Sequence, residues 1–242
     1  MPLDLKDKTI YLNHLTNVNG VTVDTTPPPP FAISQQAAQF VRASAQRLNA
    51  VESTSLKPTG SITIEAWIKV IGAAGYGHIV TNVDTNDTNP NGYDVYILPT
   101  DQIQFIIGRN TGAIAGTDYQ VKIGTATNWR DGNWHHLAVV YNGSNLQIYQ
   151  DGVVDGGSAG YSNGIAYSAN VGFNLGGAKS GGVFIEFWNG SMEEVRLWNV
   201  ARTLTQIQDN RNRRLGGSEV GLQTYYPFEP LGGGGGFLHN II

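Results

Sequence analysis

The chain has 242 residues, of which 40% are hydrophobic and 14% are charged, and its net charge at pH 7 is −4. The apolar fraction is large enough for a sizeable core, which excludes wholesale disorder. The mild negative charge offers no basic stripe for nucleic acid, and no apolar run approaches the roughly 18 residues of a membrane-spanning helix. Cysteine is absent, which removes disulfides, thiolate metal sites and cysteine nucleophiles.

Residues 1–30 have the features of an arm. β-prone residues surround the turn at Asn19-Gly20, and the proline run 27–30 then excludes a helix or a central strand. Consecutive prolines favour a stiff, extended connector. We therefore predict an amino-terminal arm over residues 1–30, joined to the next domain by its polyproline segment.

From about Phe31 the pattern is that of consecutive strands. Residues 62–70, ITIEAWIKV, alternate strictly, with isoleucine, alanine and valine on one face and Thr63, Glu65, Trp67 and Lys69 on the other. This period of two is typical of a half-buried strand, and the 31 glycines mark many turns. Further strands are predicted at GYDVYIL, QIQFIIG, YQVKIG, WHHLAVVY, LQIYQDG, GFNLGG, MEEVRLW and LQTYYPFE. The pattern indicates an antiparallel sandwich or barrel.

The last part of the chain carries one predicted helix and an unusual tail. Residues 202–214, RTLTQIQDNRNRR, have Thr203 as a candidate N-cap and arginines near the end. Residues 230–242 contain five glycines followed by an apolar tip. Two interpretations of this tail remain open: a disordered or cloning-derived end, or a flexible tether whose tip docks on another subunit.

Three sequence blocks carry a family resemblance. SITIEAWIKV, DGNWHHLAVVYNGSNLQIYQDGVV and FWNGSMEEVRLWNVARTLTQIQ, in this order, resemble the laminin G-like or concanavalin A-like lectin/glucanase domain, in particular the LamG-like branch of bacterial and viral proteins. The resemblance covers residues 31–229. It implies an all-β fold, a two-sheet antiparallel jelly-roll sandwich of about a dozen strands, to which we add the one short helix.

The adjacent histidines of the second block invite a metal or catalytic interpretation. Successive side chains of a strand point to opposite faces, so His135 and His136 cannot both bind one ion. Neither HxH nor HExxH spacing is present for zinc. We therefore expect two structural imidazoles.

Calcium is the cofactor that the resemblance implies, because many domains of this kind hold Ca²⁺ through loop oxygens. The segment 82–94 concentrates acidic and amide side chains, and the late strand adds an acid. The calcium candidates are Asp84, Asp87, Asn89, Asp94 and Glu193. Two observations count against calcium: the segment fails the EF-hand pattern, and Arg42 stands where the family has an acid. A solvated polar loop is the alternative.

The resemblance also implies possible glycosidase activity, because the superfamily includes glucanases. A retaining glycosidase needs two carboxylates about 5–5.5 Å apart, which those relatives place at alternate positions of one strand, as in ExDxxE. Here Glu186 is seven residues from Glu193, and alternation places Glu193 and Glu194 on opposite faces. Glu194 then shares the face of Arg196, and we expect these two to pair. No catalytic pair is predicted, so we expect that the chain is not an enzyme.

Sugar-binding sites often present flat aromatic rings, and the ligand-binding candidates in predicted loops are Tyr76, Tyr119 and Trp129. We predict a non-catalytic binding or adhesion module, outside the cell or on a virion surface, that recognises glycan or protein through loops at the sandwich rim. Residues 1–15 lack the basic start and apolar segment that are typical of a secretion signal. Its arm and tail would allow a homo-oligomer or a larger assembly. The alternatives are a structural virion decoration, fibre or cell-surface layer protein with no ligand and, disfavoured, a glycoside hydrolase.

Overall fold

The computed structural model describes residues 4–26, 28–29, 36–84, 90–109, 112, 114–169 and 171–228. These residues form two large antiparallel sheets, a two-stranded hairpin and a single α-helix. Strands are numbered in chain order. The predicted all-β sandwich with one short helix is confirmed, with the small hairpin as an addition. Within the described residues, no helix is long and apolar enough to cross a membrane.

The first sheet, here called the front sheet, contains seven of the described strands. In spatial order they are β1 (Leu15–Val18), β4 (Arg47–Ala50), β14 (Phe173–Leu175), β6 (Gly77–Asn82), β7 (Asn91–Ile97), β8 (Ile103–Arg109) and β9 (Tyr119–Ile123).

The second sheet, here called the back sheet, contains nine of the described strands. Its path is β12 (Val153–Val154), β11 (Asn145–Gln150), β10 (Trp134–Tyr141), β5 (Ile62–Val70), β17 (Gly190–Trp198), β3 (Ala37–Phe40) and β2 (Thr22–Asp24), while β13 (Ala159–Gly160) pairs with β11 and β18 (Leu222–Tyr226) with β17. The hairpin consists of β15 (Ala178–Ser180) and β16 (Val183–Ile185), and helix α1 spans Leu204–Asn210. Two 3₁₀ turns lie at Arg42–Ser44 and Thr54–Leu56.

The core lies between the two sheets and is built by alternation. In β5 the predicted apolar face is buried in the core, as are the inward residues of the front sheet. The largest fully buried apolar side chains in this cluster include Trp129, Trp188, Phe105 and Phe173. Burial of this apolar surface is the main stabilising term of the fold.

The predicted arm is corrected by the structure over its described residues. Strand β1 pairs with β4 at the edge of the front sheet, and β2 pairs with β3 at the edge of the back sheet. Leu15 and Val21 lie in the main core cluster. This segment therefore supplies an edge strand to each sheet and is part of the domain. The Pro27–Pro30 connector is only partly described, and the predicted tail, residues 230–242, lies outside the described residues.

The outer face of the back sheet is covered, although the alternation of β5 predicts a half-exposed strand. Glu65 is fully buried and Trp67 is 6% exposed. Trp67 donates through Nε1 to the carbonyl of Arg211 at 2.7 Å, and Arg196 donates to the carbonyl of Asn210 at 2.9 Å. Helix α1 therefore ends at Asn210, earlier than predicted, because the backbone that follows it binds side chains of the sheet.

A bulge in β17 changes the faces that strict alternation predicts. The register with β5 shifts between Glu193 and Arg196, and Glu194 has a positive φ of 54°. As a result Val195 faces the core while Glu193 and Arg196 both face outward, paired with β5 residues of the outer face. The predicted ion pair is confirmed, with Arg196 Nη2 2.5 Å from a carboxylate oxygen of Glu194.

Candidate functional site

The outer face of the front sheet is the surface on which polar and aromatic side chains gather. In β7 the residues that face the core are Tyr93, Val95 and Ile97. Asp94 and Tyr96 therefore face outward. In the register with β6, Tyr96 lies opposite His78 and Asp94 lies opposite Thr81, with an irregularity after His78. His78, Asp94 and Tyr96 are thus neighbours on one surface.

The β15–β16 hairpin packs over this surface and completes the site. The hairpin is anchored where the chain leaves the sheet, because Thr81 donates through its hydroxyl to the carbonyl of Gly177 at 3.3 Å. It is anchored again where the chain returns, since the His78 amide donates to the carbonyl of Glu186 at 3.0 Å. Glu186 adopts a positive φ of 51° at this point, and its side chain turns toward His78.

His78 holds two carboxylates at once. Its Nδ1 lies 2.8 Å from Asp94 Oδ1, and its Nε2 lies 2.9 Å from Glu186 Oε2. Burial alone would lower the pKa of His78, but the charges and hydrogen bonds of the two carboxylates outweigh it and raise the pKa to about 9. The ring is therefore an imidazolium at neutral pH that donates from both nitrogens.

Two tyrosines extend the site to solvent. The Tyr96 ring centroid is 4.9 Å from that of His78 and 6.4 Å from that of Tyr76. Tyr76 is 45% exposed, and the Glu186 side chain is 37% exposed. Burial first, and then the charges of Asp94 and Glu186, raise the pKa of Tyr96, so its hydroxyl stays protonated. These five residues are here called the rim cluster.

Two arginines fix the loop that carries Tyr76. Arg130 donates through Nη2 to the carbonyl of Gly75 at 2.5 Å. Arg42 donates through Nε to the carbonyl of Phe187 at 2.8 Å, and its Nη1 would lie 2.6 Å from a Cβ atom at Gly75. Arg130 therefore holds the backbone of the Tyr76 loop, and Arg42 packs beside Gly75, where a larger residue would displace its guanidinium group.

The three aromatic residues predicted from the sequence do not form one site. Tyr76 stands at the end of the front sheet where β6 begins, whereas Tyr119 pairs with Gly108 at the opposite end. About five residues of strand separate the two ends, or roughly 16 Å. Trp129 is fully buried and packs against His135, so its ring has no face turned to solvent. Of the three, Tyr76 belongs to the rim cluster.

The calcium candidates are also dispersed. Asp84 Oδ1 accepts from the Gly181 amide at 2.8 Å, at the turn of the hairpin, while Asp94 is bound to His78. Glu193 lies in the back sheet, 3.4 Å from Arg214 Nη2. Asp87 and Asn89 lie outside the described residues. Among the residues that are described, no group of three or more histidine, aspartate or glutamate side chains is arranged to hold a metal ion, and calcium stays a prediction.

The adjacent histidines lie on opposite faces of β10, as predicted. His135 Nδ1 is 2.7 Å from Asp151 Oδ2, and this hydrogen bond, with that of Asp131, raises the pKa of His135 despite partial burial. His136 is buried on the outer face, where desolvation lowers its pKa and Glu65 lies 3.5 Å away. His135 thus joins β10 to the turn that follows β11, and His136 joins β10 to β5.

His78 and Glu186 were not predicted as binding residues from the sequence. Strand β6 contains only six residues, and its neighbours Ile79 and Val80 are both in the core, which breaks the alternation that reveals a strand. A single polar residue ahead of two buried apolar residues was the available signal. Glu186 follows the β15–β16 hairpin and lies 108 residues after His78 in the sequence. No local pattern indicates the contact between these two residues.

Comparison with known proteins identifies the fold family. A profile of the concanavalin A-like lectin/glucanases superfamily, Laminin_G_3, matches residues 42–208. The chain belongs to this superfamily. The resemblance read from the three sequence blocks is therefore confirmed. No curated protein matches the chain significantly.

Several solved structures share the concanavalin A-like fold with this chain. A proposed carbohydrate-binding protein from Bacteroides ovatus is 24% identical, with a TM-score of 0.54 over 70% of this chain and 45% of that one. The binding domain of botulinum neurotoxin serotype C1 is 12% identical, with a TM-score of 0.61 over 88% and 52%. The binding domain of botulinum neurotoxin DC, in complex with SialylT, is 13% identical, with a TM-score of 0.59 over 87% and 52%. The chain spans about half the length of these structures, and the likeness shows the shared fold.

Proposed function

We propose that this concanavalin A-like domain is a non-catalytic module that binds carbohydrate through the rim cluster. The observation that carries the proposal is the exposed ring of Tyr76 and the half-exposed carboxylate of Glu186, which flank Tyr96. A tyrosine ring offers a flat apolar surface with a polar end, and a carboxylate accepts hydrogen bonds from sugar hydroxyls. Small-ligand sites combine apolar surface with a few placed polar groups in this way.

The rim cluster is held in place before any ligand arrives. His78 fixes the Glu186 carboxylate, and two arginines fix the backbone on either side of the cluster. Groups that are already ordered lose little conformational entropy on binding. This preorganisation supports recognition by the side chains themselves rather than by a loop that must fold onto the sugar.

The same geometry argues against glycoside cleavage. Hydrolysis requires the sugar bond to lie between two carboxylates. In the rim cluster the imidazole of His78 occupies the space between Asp94 and Glu186, and Asp94 is 3% exposed. The other acidic pair, Glu193 and Glu194, is buried on the back sheet. These contacts support a binding role without chemistry.

We also propose where the module works and in what state of assembly. We infer that it works outside the cell or on a virion surface, alone or within a homo-oligomer or larger assembly. Residues 15–24 are committed to the two sheets, so the segment proposed to reach a neighbour is the tail, residues 230–242. A protein surface is the alternative ligand, and a purely structural decoration, fibre or surface-layer protein is the alternative function.

A glycan array tests the proposal with three proteins: the unmodified chain, Tyr76→Ala, and Tyr149→Ala as a matched control on the outer face of the back sheet. Each is assayed with calcium and with a chelator, which also tests the calcium prediction. We expect a defined subset of glycans to bind, Tyr76→Ala to lose about tenfold in affinity or more, and Tyr149→Ala to match the unmodified chain. A silent array in both conditions would favour a protein ligand or the structural alternative. Loss in Tyr149→Ala alone would move the site to the back sheet.

A further inference from the structure

A second groove lies on the outer face of the front sheet, on the side of the hairpin that faces β4 and β14. Its volume is about 370 Å³, which falls within the usual range of roughly 300–1,000 Å³ for small-ligand pockets. The residues that line it are Arg47, Asn49, Ala50, Val51, Glu52, Val171, Gly172, Asn174, Lys179 and Phe184. None of them belongs to the rim cluster.

Arg47 is the unusual member of this lining. Its guanidinium carbon lies 3.8 Å from the ring centroid of Phe184, and its Nε is buried without a hydrogen-bond partner. Among the described residues, no carboxylate lies within 4.0 Å of Arg47. Burial lowers the pKa of Arg47 with no acid to oppose it. Arg196, by contrast, is buried against Glu194.

The lining contains one further cationic residue, Lys179. Lys179 lies directly opposite Phe184 in the hairpin, so the two side chains project to the same side. Of the described lining residues, Glu52 is the only carboxylate, and the ammonium of Lys57 is bound to it. A partly exposed guanidinium whose Nε is buried and that has no acid partner can take an anion, and a guanidinium binds a carboxylate through two parallel hydrogen bonds.

The neighbours of Arg47 are suited to a sugar ring. Asn49 and Asn174 lie directly opposite each other in β4 and β14, and both face outward because the residues beside them face the core. Side-chain amides donate to and accept from hydroxyl groups. Val51 and Val171 add apolar surface to the lining. Asn174 is buried, and its Nδ2 already donates to the carbonyls of Val171 at 3.4 Å and Gly172 at 3.3 Å. Asn49 is partly exposed and is therefore the amide that a ligand can reach. A lone inorganic ion would leave that amide and the apolar surface unused.

We propose that this groove binds an acidic sugar, a pyranose that bears a carboxylate, with the carboxylate on Arg47 and a hydroxyl on Asn49. The proposal does not rest on the rim cluster. Tyr76→Ala, which disables the rim cluster, should leave acidic-sugar binding unchanged, so the failure of either proposal can be told from the failure of the other.

The test compares trigalacturonic acid with its methyl ester, which share their sugar rings and differ in the charge of their carboxyl groups. Titration calorimetry on the full chain should give a Kd at least tenfold lower for the acid. Arg47→Met should weaken acid binding at least tenfold and leave the ester unchanged, and Arg47→Lys should be intermediate. The matched control, Arg109→Met, removes the same charge from β8 and should change neither.

A readout on the unmodified chain guards against a variant that fails to fold. The Arg47 Nε–H signal in a ¹H–¹⁵N spectrum should shift on addition of the acid and stay in place with the ester. Equal affinity for acid and ester, an unchanged Kd in Arg47→Met, or no binding of the acid would overturn the proposal. Inorganic sulfate that binds as tightly as the acid would also overturn it, because the groove would then select charge alone.

Discussion

The stability of the fold should depend on the charge of His78, and His78→Gln is the perturbation that reveals it. The pKa of His78 is about 9 in the folded chain against an ordinary value of 6.5. Because the folded value is the higher one, the stabilisation is fully present below pH 6.5 and is lost as the pH rises through 9. The difference between the two values corresponds to about 3 kcal/mol of unfolding free energy.

Urea denaturation of the unmodified chain and of His78→Gln at several pH values between 6 and 10 measures this effect. The difference in unfolding free energy between the two proteins should shrink by about 3 kcal/mol over that range, because other titrations are common to both and cancel. His14→Gln is the matched control, because His14 lies outside the contact of His78 with Asp94 and Glu186, and it should not reproduce this change. If the difference in unfolding free energy between His78→Gln and the unmodified chain did not change with pH, it would refute the idea that His78 is charged and stabilises the hairpin through Glu186.

Three further predictions concern the elements that position the site. Arg196→Met should lower the unfolding free energy by about 3–5 kcal/mol, since it leaves Glu194 buried without its partner, and adding Glu194→Gln should restore part of the loss. Gly190→Ala should lower the unfolding free energy, measured by urea denaturation, by about 1–3 kcal/mol or more. Its φ is 150°, and a Cβ atom at this position would lie 2.1 Å from a backbone oxygen of β5. The control Gly60→Ala, which has open space around it, should be nearly neutral. Thr203→Ala should cost about 1 kcal/mol of thermal stability through loss of the helix N-cap; an unchanged melting temperature would contradict that role.

The sequence predicted the fold well wherever one face of a strand is apolar. Strand β5 matches its predicted range, and alternation separated His135 from His136, because each strand must bury one face against the other sheet. Helix α1 begins at its predicted cap, since Thr203 and Gln206 satisfy each other's backbone groups locally. Local chemistry alone decides these features.

Two residues of the candidate site were predicted from the sequence, Tyr76 as a sugar-binding residue and Asp94 as a calcium ligand. The contact between His78 and Glu186 joins residues 108 apart in sequence, and it depends on where the hairpin returns to the sheet. The bulge at Glu194 was not predicted either, because strict alternation assumes a regular register between neighbouring strands. In the structure the register of β17 with β5 shifts at this point, beside the ion pair of Glu194 with Arg196. The polar outer face of β5 suggested exposure, but backbone after α1 covers it.

The most direct test of the account is to map a glycan selected on the array by amide ¹H–¹⁵N chemical-shift changes in the full chain. Carbohydrate binding by the rim cluster predicts that the shifts concentrate at the start of β6, in β7 and around Glu186, and that Tyr76→Ala abolishes them. Shifts confined to the outer face of the back sheet would contradict the account, as would an unperturbed spectrum at saturating glycan.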